Sequence, residues 1–382
     1  MARIVLALGL ALALVCSCRG RGDPRAQRLA DIDRAIARAG AFLAARQDAD
    51  GGFRSAAYSA LRDGWSLTPL AALALRVTPE RAAAGRAARF IAGLVVDGQV
   101  RRAPEVSYPI YAYAIGALVL GAPENVDGDR APRDALIAAV RGQQLAARNG
   151  WQPDDASFGG WGYAPDVPAR PSGAITDDLL PANLSATVLA IGALALGGAR
   201  PSDPALADAA RFVARCHNRD GGFHFSPDLP DGNKAGRDAS GFRSYGSMTA
   251  DGIRALLRLG KPLDDPDVVA GYAWLEREFD PARNPGQFDE EIRRASSYYY
   301  WTWTAAHALE HAGRPVLRGD LPWAERLSAE LLARQAADGA WRNDATEMRE
   351  DEPVIATSFA VAALALCRNA LGGERQAHAA WR

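Results

Sequence analysis

The phrases Asp50-Gly-Gly-Phe53, Phe158-Gly-Gly-Trp161, Asp220-Gly-Gly-Phe223 and Asp338-Gly-Ala-Trp341 are copies of one another. Asp97-Gly-Gln-Val100 and Pro285-Gly-Gln-Phe288 are weaker copies. A recurring unit commits a chain to an architecture in which each repeat buries its apolar face against its neighbours. The six units begin near residues 50, 97, 159, 220, 286 and 338 and occupy nearly all of the 382 residues.

Each phrase follows one kind of helical pattern and precedes another. Before the first phrase, Leu29, Ile32, Ile36 and Phe42 recur at helical spacing with Arg and Asp between them, which predicts a helix with one wet face. Stretches of this kind such as PALADAARFVARC and PDVVAGYAWLEREF begin at a proline, a residue suited to the first helical turn. After each phrase comes a helix that is apolar nearly all round, as in LSATVLAIGALALGG, and such a helix belongs inside. Six wet-faced helices alternating with six dry ones predict an all-α fold, a single (α/α)6 toroid with the dry helices as the inner ring. A linear solenoid is the competing arrangement, and it would leave the dry helices needing another cover. The Gly of each phrase supplies a left-handed turn and the Asp bonds the turn's amides, so the phrases are structural.

Several function classes are excluded by composition. Lys and Arg number 44 against 45 Asp and Glu, and the net charge of −1 leaves no basic excess for a nucleic-acid partner. Four cysteines without a CxxC pair offer neither a disulfide scaffold nor a zinc site, and Cys216 and Cys367 are expected to be buried free thiols. At the N-terminus, Arg3 precedes an apolar run from Ile4 to Cys16, shorter than the roughly 20 residues of a membrane span but right for the core of an export signal. Val15-Cys16-Ser17-Cys18 resembles the lipobox of bacterial lipoproteins, with Cys16 where Ala, Ser or Thr is more usual. The expectation is an exported, membrane-anchored lipoprotein lipidated at Cys18, with residues 1–18 as signal, 19–25 as linker, 26–372 as the toroid and 373–382 as a tail.

Gln47 to Phe53 and Gln335 to Trp341 resemble the Gln-to-Trp repeats of the squalene/terpenoid cyclase and protein prenyltransferase superfamily. Asn183 to Thr187, Tyr245 to Thr249, Tyr298 to Tyr300 and Pro353 to Thr357 are similar to the inner-helix starts of bacterial prenyltransferase/squalene oxidase repeat proteins. The resemblance covers roughly residues 26–372 and implies the toroid fold. It implies neither signature chemistry. The nearest stretch to the cyclases' DxDD acid is Ile175-Thr176-Asp177-Asp178, and Arg243 to Asp251 lacks the prenyltransferases' zinc-binding Cys. Squalene cyclisation and protein prenylation are therefore not expected, and no cofactor is implied. Three readings stay open: a toroid binding an isoprenoid or other apolar ligand, an exported polysaccharide lyase or hydrolase acting on a glycan, and a non-catalytic cell-surface binding or scaffold protein.

Candidate site residues follow from placement. Residues 149–181 and 219–244 form long connections on the face where the inner helices begin, and Asp177 and Asp178 lie there as candidate ligand contacts. Asp251, inside an otherwise apolar helix, is either a carboxylate facing a cavity or a buried partner of an Arg. The run Tyr298 to Trp303 is too dense for every ring to face one way. The expected ligand position lies against Tyr245, Asp251, Tyr299, Trp303 and His307, with Tyr245, Asp251 and His307 as candidate catalytic groups and Tyr299 and Trp303 as binding groups. His307-Ala-Leu-Glu310-His311 matches a zinc pattern, but without a third ligand no metal is expected.

Overall fold

The computed structural model describes residues 23–101, 108–122, 130–313, 317 and 320–373. Cys18 and the stretch expected to be an export signal, residues 1–18, lie outside them. Six outer helices, α1 (Pro24–Ala44), α3 (Arg81–Ala92), α5 (Ala131–Gly142), α7 (Pro204–Arg215), α9 (Pro266–Glu278) and α12 (Trp323–Arg334), surround six inner ones. The inner ring is α2 (Leu67–Leu75), α4 (Pro109–Leu120), α6 (Leu184–Leu196), α8 (Gly246–Arg258), α11 (Tyr298–Ala312) and α13 (Pro353–Gly372), with a one-turn helix α10 (Glu291–Ala295) before α11. Each inner helix packs on the next, and α13 packs back on α2, so the ring closes and the solenoid is excluded. The fold is an (α/α)6 toroid.

Burial follows the two helical patterns. Every residue of α2, and every residue from Leu184 to Leu194 of α6, is buried. In α1 only a stripe that includes Ile32, Ile36, Ala39 and Leu43 is buried. Helix α13 is long and apolar enough to cross a membrane by composition, yet it is largely buried as the sixth inner helix. Aspartates cap α7 and α9 just ahead of Pro204 and Pro266, accepting from the backbone N–H of Ala205 and Asp267. Cys216 and Cys367 are buried free thiols.

The repeated phrases join the two rings. Gly159 has φ +89°, and a Cβ there would stand 2.0 Å from the Asp208 carbonyl oxygen of α7. Gly51, Gly221 and Gly339 abut carbonyl oxygens of α3, α9 and α1 in the same way, so each turn docks on the next outer helix around the ring. The aromatic residue then ties the turn to the inner ring, as in Trp161 N–H to Thr187 Oγ1 (3.1 Å) and Trp341 N–H to Thr357 Oγ1 (3.0 Å). Phe53 and Phe223 donate likewise to Thr68 and Thr249. Gln144 and Gln335 close the unit by donating from Nε2 to carbonyls of both the turn and the next outer helix. The copy at Asp97 departs from this scheme. It is the tip of a hairpin between β1 (Val95–Val96) and β2 (Gln99–Val100), and Gly98 has open space around it.

Candidate functional site

The centre of the toroid is open. A cavity of about 280 Å³ lies at the end of the ring where the inner helices begin. All six inner helices contribute wall residues near their starts: Leu67, Tyr111, Ser185, Met248, Tyr300 and Ile355. Leu70, Ile115, Leu189, Trp303 and Phe359 form the deeper wall. Loop residues complete the mouth, including Phe225 and Lys234 from the 219–244 connection and Glu347 to Glu350 from the connection ahead of α13. Trp303 stacks on Phe359 at 5.3 Å between centroids, and Tyr300 meets both rings edge-on. The surface is thus aromatic and aliphatic, with polar atoms at a few points.

Two polar clusters reach the wall, one through Tyr111, Tyr163 and Ser185 and one through Tyr300. Tyr111 Oη, Tyr163 Oη and Ser185 Oγ are mutually hydrogen-bonded at 2.8–3.2 Å. Tyr300 Oη donates to Asp251 Oδ2 at 2.6 Å, and Asp251 Oδ1 accepts from Arg254 Nη1 at 2.8 Å. Burial pushes the Asp251 carboxyl up to about 6 despite the attraction of Arg254 and the Tyr300 hydrogen bond. Burial also lowers Arg258, whose guanidinium donates to the Val188 carbonyl, to about 9. Burial raises the phenols of Tyr111, Tyr245 and Tyr300 well above their ordinary range.

The structure separates the residues singled out in the sequence. Tyr245 and Trp303 line the cavity. Asp251 does not; it sits behind Tyr300, fully buried, as the partner of an Arg. Tyr299 turns away from the cavity, and its hydroxyl donates to the Arg342 carbonyl. Tyr298 and Trp301 likewise reach carbonyls of the connection after α9, so Tyr300 and Trp303 are the rings of this run that reach the cavity. His307 is buried deeper along α11, and burial with Arg254 and Arg258 nearby holds its pKa well below the usual histidine value. Asp177 and Asp178 are exposed on the 149–181 connection and are not among the wall residues; Asp177 caps its own turn by accepting from Leu179 N–H.

Sequence reasoning missed Glu350, Arg349 and Lys234. Glu350 is fully buried at the cavity wall, where it accepts from the N–H groups of Tyr299 (3.0 Å) and Tyr300 (2.8 Å) and from Asn343 Nδ2 (2.9 Å). It caps α11 across a long sequence separation. Nothing in the acid-rich stretch from Glu347 to Glu352 marks one carboxylate as buried. Burial raises Glu350 to about 7, against the lowering effect of those donors. Because its folded-state pKa lies above the unfolded value, its contribution to stability is full below about pH 4.5 and is lost as pH rises through about 7. Relative to Glu350→Gln, which cannot titrate, the wild type should therefore lose melting temperature between pH 4.5 and 7.5. Parallel melts across that range that keep a constant gap would refute this.

No protein-family model and no curated protein matches the chain. Solved structures do. A variant of the type II terpene cyclase MstE from Scytonema, in complex with its product merosterolic acid A, is 14% identical with a TM-score of 0.54, covering 90% of this chain and 99% of that one. A second MstE variant, in complex with its substrate geranylgeranyl dihydroxybenzoate, is 11% identical with a TM-score of 0.55 and the same coverage. A protein from Actinoplanes is 17% identical with a TM-score of 0.55, covering 88% of this chain and 99% of that one. At these identities the likeness is one of fold.

Proposed function

We propose that the chain binds an apolar, isoprenoid-like ligand inside the ring. The observation that carries this reading is the cavity of about 280 Å³ walled by aromatic and aliphatic side chains from all six inner helices. That volume is near the lower edge of the ~300–1,000 Å³ typical of small-molecule sites and fits a short isoprenoid chain. The MstE complexes support the reading by analogy, since that toroid holds a geranylgeranyl-bearing substrate. A plugged centre would have favoured a scaffold. A glycoside hydrolase needs a pair of carboxylates free to act on a glycan. Here both oxygens of Asp251 and of Glu350 are taken by protein donors.

The test is titration with farnesol, followed by tryptophan fluorescence. Saturable quenching is the expected result. Leu70→Trp, which places a large ring in the deep wall, should abolish it without unfolding the protein, at a cost of about 1–3 kcal/mol from overpacking. If farnesol and longer isoprenols up to their solubility limits never saturate a site, the reading fails.

The N-terminal pattern motivates a companion proposal, that the chain is exported and held at a membrane through lipidated Cys18. Cys18→Ser should release the protein from the membrane fraction. Soluble cytoplasmic protein carrying an intact Met1 would refute the anchor.

A further inference from the structure

Arg349 differs from every other charged group at the cavity mouth. Its backbone is held at φ +57°, a left-handed conformation that costs energy in a residue with a Cβ and that gathers at ligand clamps. Its guanidinium lies over two phenol rings, with Cζ 4.9 Å from the Tyr108 centroid and 5.4 Å from that of Tyr58. Nη2 donates a long 3.5 Å hydrogen bond to the Tyr108 hydroxyl, whereas Nη1 is buried with no acceptor among the described residues. Three acids of its own connection are engaged elsewhere, and Asp231, the acid that the 219–244 connection adds to the wall, is exposed. Glu347 pairs with Lys234, Glu350 caps α11, and Asp351 accepts from the Tyr58 hydroxyl. Among the described residues, Arg349 is in no ion pair.

A guanidinium that is partly buried, stacked and unneutralised is costly to the protein unless an anion joins it. We propose that Arg349 anchors an oxyanion on the ligand, a carboxylate or phosphate ester at one end of an otherwise apolar molecule. This rests on the apolar-ligand reading above and adds the polarity of the ligand to it. The two rings hold the guanidinium plane in place, and its N–H groups match a two-oxygen anion. The inner helices begin at this end of the cavity, and the positive ends of their dipoles favour negative charge at the same place. The apolar body of the ligand extends past Tyr108 towards Leu70 and Trp303.

Purified protein titrated with farnesoic acid, farnesyl phosphate, farnesol and inorganic phosphate tests the assignment. The acid or the phosphate ester should bind at least about tenfold more tightly than farnesol, the size of one charge-assisted hydrogen bond. Whichever is tighter identifies the source of the oxyanion. The preference should vanish in Arg349→Met, which keeps an apolar stem, and survive in part in Arg349→Lys. Equal affinity for farnesol and both anions in the wild type overturns the inference and leaves the apolar-ligand reading standing. So does a preference that persists in Arg349→Met, or inorganic phosphate binding as tightly as its ester. Failure of all three isoprenoids to bind instead defeats the apolar-ligand reading and the inference with it. The comparison among ligands uses the wild type alone, so it decides the matter even if a variant folds poorly.

Discussion

Asp251→Asn should lower the unfolding free energy by about 3–5 kcal/mol, because it strips the buried Arg254 of its carboxylate and leaves that charge uncompensated. The geometry leaves little room for relief. Asp251 is 0% exposed and Arg254 is 3% exposed. Among the described residues Arg254 Nε has no partner and no other carboxylate bonds its guanidinium, which lies 5.0 Å from the Trp303 ring centroid. Against a typical net stability of about 5–15 kcal/mol, such a loss is large. Tyr300→Phe removes only a neutral donor from the same carboxylate and should cost about 1–2 kcal/mol. Combining Asp251→Asn with Arg254→Met should recover much of the single-variant loss, since replacing both members of a buried pair is far cheaper than orphaning one. Urea denaturation of the four proteins measures all of this. A loss under about 1 kcal/mol for Asp251→Asn, accompanied by failure to bind ligand, would move Asp251 from the supporting structure to the ligand's own contacts.

Gly159→Ala should cost about 3 kcal/mol or more. The residue sits at φ +89°, where a Cβ is strained, and that Cβ would lie 2.0 Å from a main-chain oxygen of α7, which no rotamer change can move aside. Either the turn or the outer helix must shift, and the turn also carries Trp161, which is buried between the rings and donates from Nε1 to the Val140 carbonyl. Gly98→Ala is the control. Its φ is +75°, but among the described residues nothing lies within 4 Å of the added methyl group, so only the conformational strain of about 1–2 kcal/mol should appear. Equal losses at the two positions would mean that the Gly-rich turns are loosely docked and that their recurrence has another cause.

The ring architecture was legible in the sequence because its physical causes are local. A stripe of apolar residues at helical spacing, a proline after a capping aspartate and a glycine in a left-handed turn are each set by a few neighbouring residues. Their repetition supplied the count of units and the alternation of wet and dry helices. Even so, the Asp97 phrase shared the pattern and became a hairpin tip, since pattern alone does not record whether a turn finds an outer helix to dock on. Thr187, Thr249 and Thr357 belong to the stretches that carry the resemblance and Thr68 does not, and only the fold reveals all four as acceptors for the turn amides.

The site belongs to the tertiary structure. Helical spacing allowed two overlapping faces of α11, one with Tyr299 and one with Tyr300, and rotation of the helix against α8 and α13 decided for Tyr300. Asp251 was open between cavity and ion pair until the fold set Arg254 and Tyr300 against it. Glu350 and Arg349 stand next to each other in a stretch that reads as solvated charge. Closure of the ring carried one under the start of α11 and stacked the other on rings from the first two repeats. Periodicity along a chain says which residues share a face of one helix. Which charge is buried, and which lacks a counter-charge, depends on groups as far off as the 50 residues between Glu350 and Tyr300 or the 241 between Arg349 and Tyr108, and only packing brings them together.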